Sequence, residues 1–234
     1  MKNSSLFRSN DSIPVFELHK KPFHTGLDSE LSIHEVKSMG LSIHYNGRFN
    51  NQASLSEMID EVKDVAGIYH WKYHIYETVF PDNTFDDDSY NDLIYGISFV
   101  PPESEPVFLC FLCNRRMSSP DHLIFFGNSE DEMYKKYLYM LSCKTQYAGS
   151  DVHKLIIHFL KYLSKKYLQE FEVVDEGYYW ETGDEKLLET TFKKYTDLIN
   201  SFGSALENIP LNSGETFEEY FERIMRIVQS KREK

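Results

Sequence analysis

A chain of 234 residues, 41% hydrophobic and 26% charged, is sized for one hydrophobic core and is too apolar to stay disordered. Its 25 Lys and Arg against 37 Asp and Glu give a net charge of -12; that field repels phosphate backbones and anionic lipid, so nucleic acid and membrane surfaces are disfavoured and a basic protein partner is favoured. Three cysteines make no disulfide framework, no apolar run reaches the ~20 residues that span a bilayer, and Met1–Ser5 lacks an apolar leader core, which together predict a cytoplasmic protein.

In chain order, residues 1–39 read as an N-terminal arm, because Asn3, Ser4, Ser5, Asn10, Asp11, Ser12, Pro14, Pro22 and Gly26 interrupt any apolar period. Val15–Leu18 offers an edge strand as the alternative to a loose arm. Residues 40–234 read as a single α+β domain. Leu41, Ile43 and Tyr45 alternate with Ser42, His44 and Asn46, which predicts a strand with one buried face, and Asn46-Gly47 predicts a turn after it. Ser54 and Glu57 form a capping box ahead of Leu55, Met58, Ile59, Val62, Val65 and Ala66, spaced as one face of a helix. Trp71–Phe80 predicts a strand that ends at Pro81. After the acidic stretch around Asp86-Asp87-Asp88, Leu93–Phe99 and Val107–Cys113 predict an antiparallel hairpin. His122–Phe126 predicts a short strand, Ser129–Lys136 a brief helix or turn, and Tyr137–Thr145 a longer strand.

Gly149-Ser150-Asp151 opens a second helix striped with Val152, Leu155, Ile156, Phe159, Leu160 and Leu163. Phe171–Val174 follows as a strand, and Tyr178-Tyr179-Trp180 extend the sheet. Asp184 caps a long helix, and Thr216 with Glu219 caps a last one. The sum is an α+β fold: a mixed, mostly antiparallel sheet with helices packed on one face and C-terminal helices. Leu41–Glu77 and Met140–Glu176 have equal length and the same strand–helix–strand order. That is either a βαβ-like internal pseudo-repeat or, as we prefer, the recurrence of units of ordinary size. Aromatic residues at 15% of the chain favour a β-rich core over a ligand cage.

Several motifs with chemical potential reduce to structure. Cys110 and Cys113 lie in an apolar strand, where positions i and i+3 face opposite sides, so they read as buried thiols rather than a redox or zinc pair. Asp86–Asp88 lacks the frame of a calcium loop and reads as solvated. The basic pairs, Arg115-Arg116 among them, read as solvated faces. His44 stands off the apolar side of its strand and reads as a solvated sheet-face histidine. No dinucleotide, P-loop or α/β-hydrolase signature occurs, the histidines show no metal-ligand spacing, and the cofactor is left open.

Two stretches hold the candidate site. Asp175–Asp184 packs Tyr178, Tyr179 and Trp180 among carboxylates and between two glycines. Its like charges raise carboxylate pKa values unless a cation relieves them. Either Glu176, Glu181 and Asp184 converge, with Asp175 and His153, on a metal or an acid–base task, or the segment is a surface turn with Trp180 packed inward. Lys144–Gly149 runs into the helix that carries His153 and offers Gln146 as a binding group beside Tyr179 and Trp180; Asp151 in its first turn favours capping over anion binding.

The blocks Thr145-Gln146-Tyr147-Ala148-Gly149, His153, Asp175-Glu176-Gly177 and Tyr179-Trp180-Glu181-Thr182-Gly183-Asp184, with Ile43–Gly47, resemble a family of uncharacterised bacterial proteins over about Gly40 to Leu206. The resemblance implies a bacterial origin and carries no activity. Two functions are expected from the residues themselves. The first is a protein-binding module, immunity- or regulator-like, that presents an acidic, aromatic surface. The alternative is a metal-assisted hydrolase or lyase built on His153 and the carboxylates of residues 175–184.

Overall fold

In the computed structural model, residues 40–82 and 89–232 are described; the expectations for the arm at 1–39 and for Asp86–Asp88 lie outside them. β1 (Ser42–Phe49) buries Ile43, Tyr45 and Phe49, as its alternation predicts. The chain turns at Asn50–Ala53, and the Ser54 hydroxyl accepts the Glu57 N–H to start α1 (Leu55–Ile68), which buries Leu55, Met58, Ile59, Val62 and Ala66. A left-handed residue, His70, then turns the chain so that Trp71 stacks on Phe99, with centroids 5.4 Å apart.

β2 (Lys72–Ile75), β3 (Tyr95–Val100) and β4 (Val107–Phe111) form an antiparallel sheet in that spatial order, so the expected hairpin is present. The strand expected to reach Phe80 stops at Ile75. Beyond it the backbone still bonds to β3, but irregularly, around a positive φ of 119° at Gly96. The segment expected as a strand at His122–Phe126 is instead a helix, α2 (Pro120–Phe126). Ser119 caps it through the His122 N–H and Pro120 presets the first turn; these local signals override the strand-like apolar run. α3 (Glu132–Tyr137) and β5 (Leu141–Lys144) follow.

α4 (Gly149–Tyr167) buries His153, Ile156, Ile157, Phe159, Leu160, Leu163 and Tyr167 and leads into β6 (Leu168–Asp175). No side chain caps its start, so the expected capping by Asp151 is not made. β5 and β6 both pair antiparallel to β1, which lies between them, so this second sheet is ordered β5–β1–β6. The two outer strands run parallel, and β5–α4–β6 is a βαβ unit split by β1. The equal-length unit β1–α1–β2 takes another topology, because its two strands lie in different sheets. Every strand pairing within the two sheets is antiparallel.

α1 packs on β2 and β3, α4 packs on β6, and the two helices touch, so both sheets share one apolar cluster. Tyr45 joins the sheets directly: its buried hydroxyl accepts the Phe108 N–H at 2.9 Å and reaches the Phe108 carbonyl at 3.2 Å. α5 (Tyr179–Thr182), α6 (Glu185–Asn208) and α7 (Phe217–Arg232) complete seven helices among the described residues. Asp184 caps α6 through the Lys186 and Leu187 N–H groups. Thr216 and Glu219 bond each other reciprocally at the start of α7, as a capping box requires. Among the described residues no helix is long and apolar enough to cross a membrane.

Candidate functional site

Three segments meet where β5 ends, α4 begins and β6 ends. Thr145, the residue after β5, is buried, and its N–H bonds the Leu41 carbonyl at 2.9 Å. One turn into α4, His153 falls on the apolar face. Its Nδ1 lies 2.7 Å from Thr145 Oγ1, and its Nε2 lies 2.9 Å from Oδ1 of Asp175 at the end of β6. The second contact has the length of a hydrogen bond without its alignment. Both the imidazole and the carboxylate are 0% exposed.

The expected sheet extension through Tyr178–Trp180 is replaced by a turn that Asp175 builds. Asp175 Oδ1 accepts the Gly177 N–H at 2.7 Å, and Oδ2 accepts those of Tyr179 and Trp180 at 2.8 and 2.9 Å. With Tyr178 left-handed at φ 59°, the chain winds into α5 and its free donors point at the carboxylate, as at a capped helix start. Gly177 keeps this approach close: a Cβ there would stand 2.6 Å from Leu188 Cδ1, which would have to shift, and 3.0 Å from His153 Nε2.

Burial alone would push the Asp175 carboxyl up. The adjacent His153 and the N–H groups of Trp180 and Gly177 outweigh burial and hold it below the usual carboxylate range. The expectation that crowded acids raise one another is thus not met at Asp175. A carboxyl depressed in the folded state stabilises the fold above its unfolded pKa of about 3.9, and that contribution disappears as pH falls through the folded value. The stability advantage of the wild type over Asp175→Asn should therefore shrink as pH is lowered from about 5 to 3, measured as the gap between urea midpoints. A gap that stays constant over that range would refute the assignment.

Hydroxyl, imidazole and carboxylate stand in the order of a proton relay, but Thr145 and His153 are 0% exposed and Asp175 is 3% exposed. A nucleophile must reach its substrate, so as it stands the trio is a cross-brace between β5, α4, β6 and α5. The other expected acids do not join it. Glu176 Oε2 accepts the Ser42 N–H at 2.7 Å, and its Oε1 lies 3.5 Å from His44 Nε2, so His44 faces a carboxylate. Glu181 and Asp184 are exposed, and Asp184 is committed to its cap. Convergence of Glu176, Glu181 and Asp184 on His153 is therefore not found. Among the described residues no group of three or more His, Cys, Asp or Glu is placed to hold a metal.

The binding candidates also divide. Gln146 is buried, its Oε1 accepting the Leu41 N–H and its Nε2 donating to Thr196 Oγ1. Tyr179 is buried with its hydroxyl 3.2 Å from His158 Nε2. Trp180 is half-buried between Phe171 and the Lys161 ammonium. Both buried polar groups are satisfied within the fold and are not presented to a ligand. No protein-family model, no curated protein and no solved structure matches the chain.

The aromatic groups at the surface here are their neighbours, Tyr147 at 66% and Tyr178 at 46% exposure. Both lie in the turns that lead into α4 and α5, whereas Tyr179 is the first residue of α5. The cysteines behave as expected: Cys110 and Cys113 lie in different apolar clusters, and burial pushes the Cys143 thiol up to about 12.

Proposed function

We propose that the domain is a protein-binding module, of the immunity or regulator kind, which meets a basic partner with the acidic, aromatic end built over the Thr145–His153–Asp175 brace. One observation carries this reading. The polar groups suited to chemistry at this end are turned inward and paired with one another, while Tyr147 and Tyr178 remain exposed among Asp151, Glu181, Asp184 and Glu185. Lys154 is tied to Asp151 and Glu185 at 3.1 Å each, so an ion pair links the start of α4 to the start of α6. Exposed tyrosines in a rigid frame give large contact area at low entropic cost, and surrounding carboxylates steer a cationic surface.

The test is capture on immobilised protein from the source cell, over a salt series, with Tyr147→Ala/Tyr178→Asn alongside. Asn tolerates the left-handed backbone at position 178, so the double variant should melt as the wild type does. A partner retained by the wild type, released by salt and reduced about tenfold or more on the variant is the expected result, the size of one lost hot-spot contact. Partners that the variant retains equally would remove this surface from the account.

A further inference from the structure

The sheet β5–β1–β6 has two outer edges, and the fold treats them differently. The edge of β5 is closed: the Lys144 N–H donates to the Glu105 carboxylate at 2.9 Å, and the Lys144 carbonyl accepts the Glu105 N–H at 3.0 Å. The edge of β6 is open. The Glu176 N–H bonds the Ser42 carbonyl, and Val174 with His44 and Glu172 with Asn46 stand opposite each other in the same phase. Residues 172, 174 and 176 therefore turn their backbone groups to β1, and Val173 turns its N–H and carbonyl outward, where no strand of the described residues pairs with it. β6 runs for eight residues without Lys or Pro, two residues that commonly blunt such an edge.

We propose that the outer edge of β6 accepts, as an added strand, an extended segment in which basic and apolar residues alternate. The side chains along the edge divide by face. Val173 lies on the core side with its partner Tyr45, and Phe171 shares that side, yet both are only half-buried. Phe171 also meets Trp180 edge-on, with centroids 5.9 Å apart. Glu172 and Val174 are exposed on the other side, and the Glu170 carboxylate is 72% exposed at the start of the edge. An added strand sets its own side chains beside these. Its apolar residues cover Phe171 and Val173, and its Lys or Arg residues lie beside Glu172. An acidic segment is opposed by Glu170, Glu172 and the net charge of -12. A second copy of β6 would bring its own glutamates to the same place, so self-pairing is opposed as well. This surface is distinct from Tyr147 and Tyr178 and stands whether or not they meet a partner.

The experiment is fluorescence anisotropy on the full chain at low ionic strength, with a labelled, end-blocked peptide of alternating lysine and valine as the probe. The reference peptide has the same composition, with its lysines and valines in two separate blocks. Saturable binding of the alternating peptide, about tenfold or more tighter than the block peptide, is expected. Val173→Pro removes the outward N–H and leaves the bonds to β1 in place, so it should weaken binding about tenfold or more relative to Val173→Ala, which keeps that N–H. Glu172→Gln should weaken it about two- to fivefold, and Glu218→Gln on α7, an equal change in charge, should leave it unchanged. If Val173→Pro melts early, amide exchange of the wild type decides, because the peptide should slow exchange of the Val173 N–H several-fold. Equal binding of the two peptides, Val173→Pro binding as Val173→Ala does, a Val173 amide unaffected by the peptide, or an equal loss in Glu218→Gln would overturn the proposal.

Discussion

Replacing Asp175 with alanine should destabilise the fold by about 3 kcal/mol or more, since three backbone N–H groups lose their acceptor at about 1–3 kcal/mol each. The substitution strips the acceptor from the backbone N–H groups of Gly177, Tyr179 and Trp180 and removes the carboxylate beside His153 Nε2. The Gly177 and Tyr179 bonds are buried where water cannot replace the lost partner, so their desolvation cost remains, and the Trp180 bond is part-buried. A domain of ordinary stability has about 5–15 kcal/mol to lose, so the variant should unfold at much lower urea. Asp184→Ala is the fitting reference: it removes a carboxylate that also accepts two backbone N–H groups, but an exposed one, and should lose only about 1 kcal/mol. Equal losses in the two variants would mean that the Asp175 turn is held by its packing rather than by the carboxylate.

Gly96→Ala should be at least as damaging, for a reason of space. Gly96 sits in β3, the middle strand of its sheet, at φ 119°, where a side chain is strained by roughly 1–3 kcal/mol. A methyl group there would also overlap the Leu109 carbonyl oxygen and meet Cys110 Cα at 3.3 Å. Both obstacles are the backbone of β4, which moves only if the ladder opens. The expected outcome is loss of about 3 kcal/mol or more, seen as a large fall in melting temperature or as insoluble protein. Gly203→Ala, in α6 with open space around the new methyl, should be neutral or slightly stabilising. A Gly96→Ala protein that melts with the wild type would contradict the tight strand approach.

What was legible in the sequence was local. Ser54, Asp184 and Thr216 with Glu219 lie within three residues of the N–H groups they cap, and the stripes of α1, α4 and α6 repeat within one helix. α2 reads as a strand from its apolar run, although Ser119-Pro120, a helix start that is just as local, decides the outcome. α5 could not be read locally, since its cap is a side chain at the end of the preceding strand. The burial of His153 was readable in principle: it precedes Ile156 by three positions and Leu160 by seven, on the same helical face. Gln146 reads as a binding group because its partners, Leu41 and Thr196, are far away in sequence.

The split of β5–α4–β6 by β1 has a consequence for synthesis. β1 is made before both of its neighbours, which come from much later in the chain. The Ser42 N–H waits for a Glu176 carboxylate 134 residues downstream. A strand with two unpaired edges must therefore be kept from wrong partners until β6 has been made, and closing such long loops delays folding. The Asn46-Gly47 irregularity, where the register of β1 against β6 shifts, makes that strand a poorer template for stray pairing in the interval.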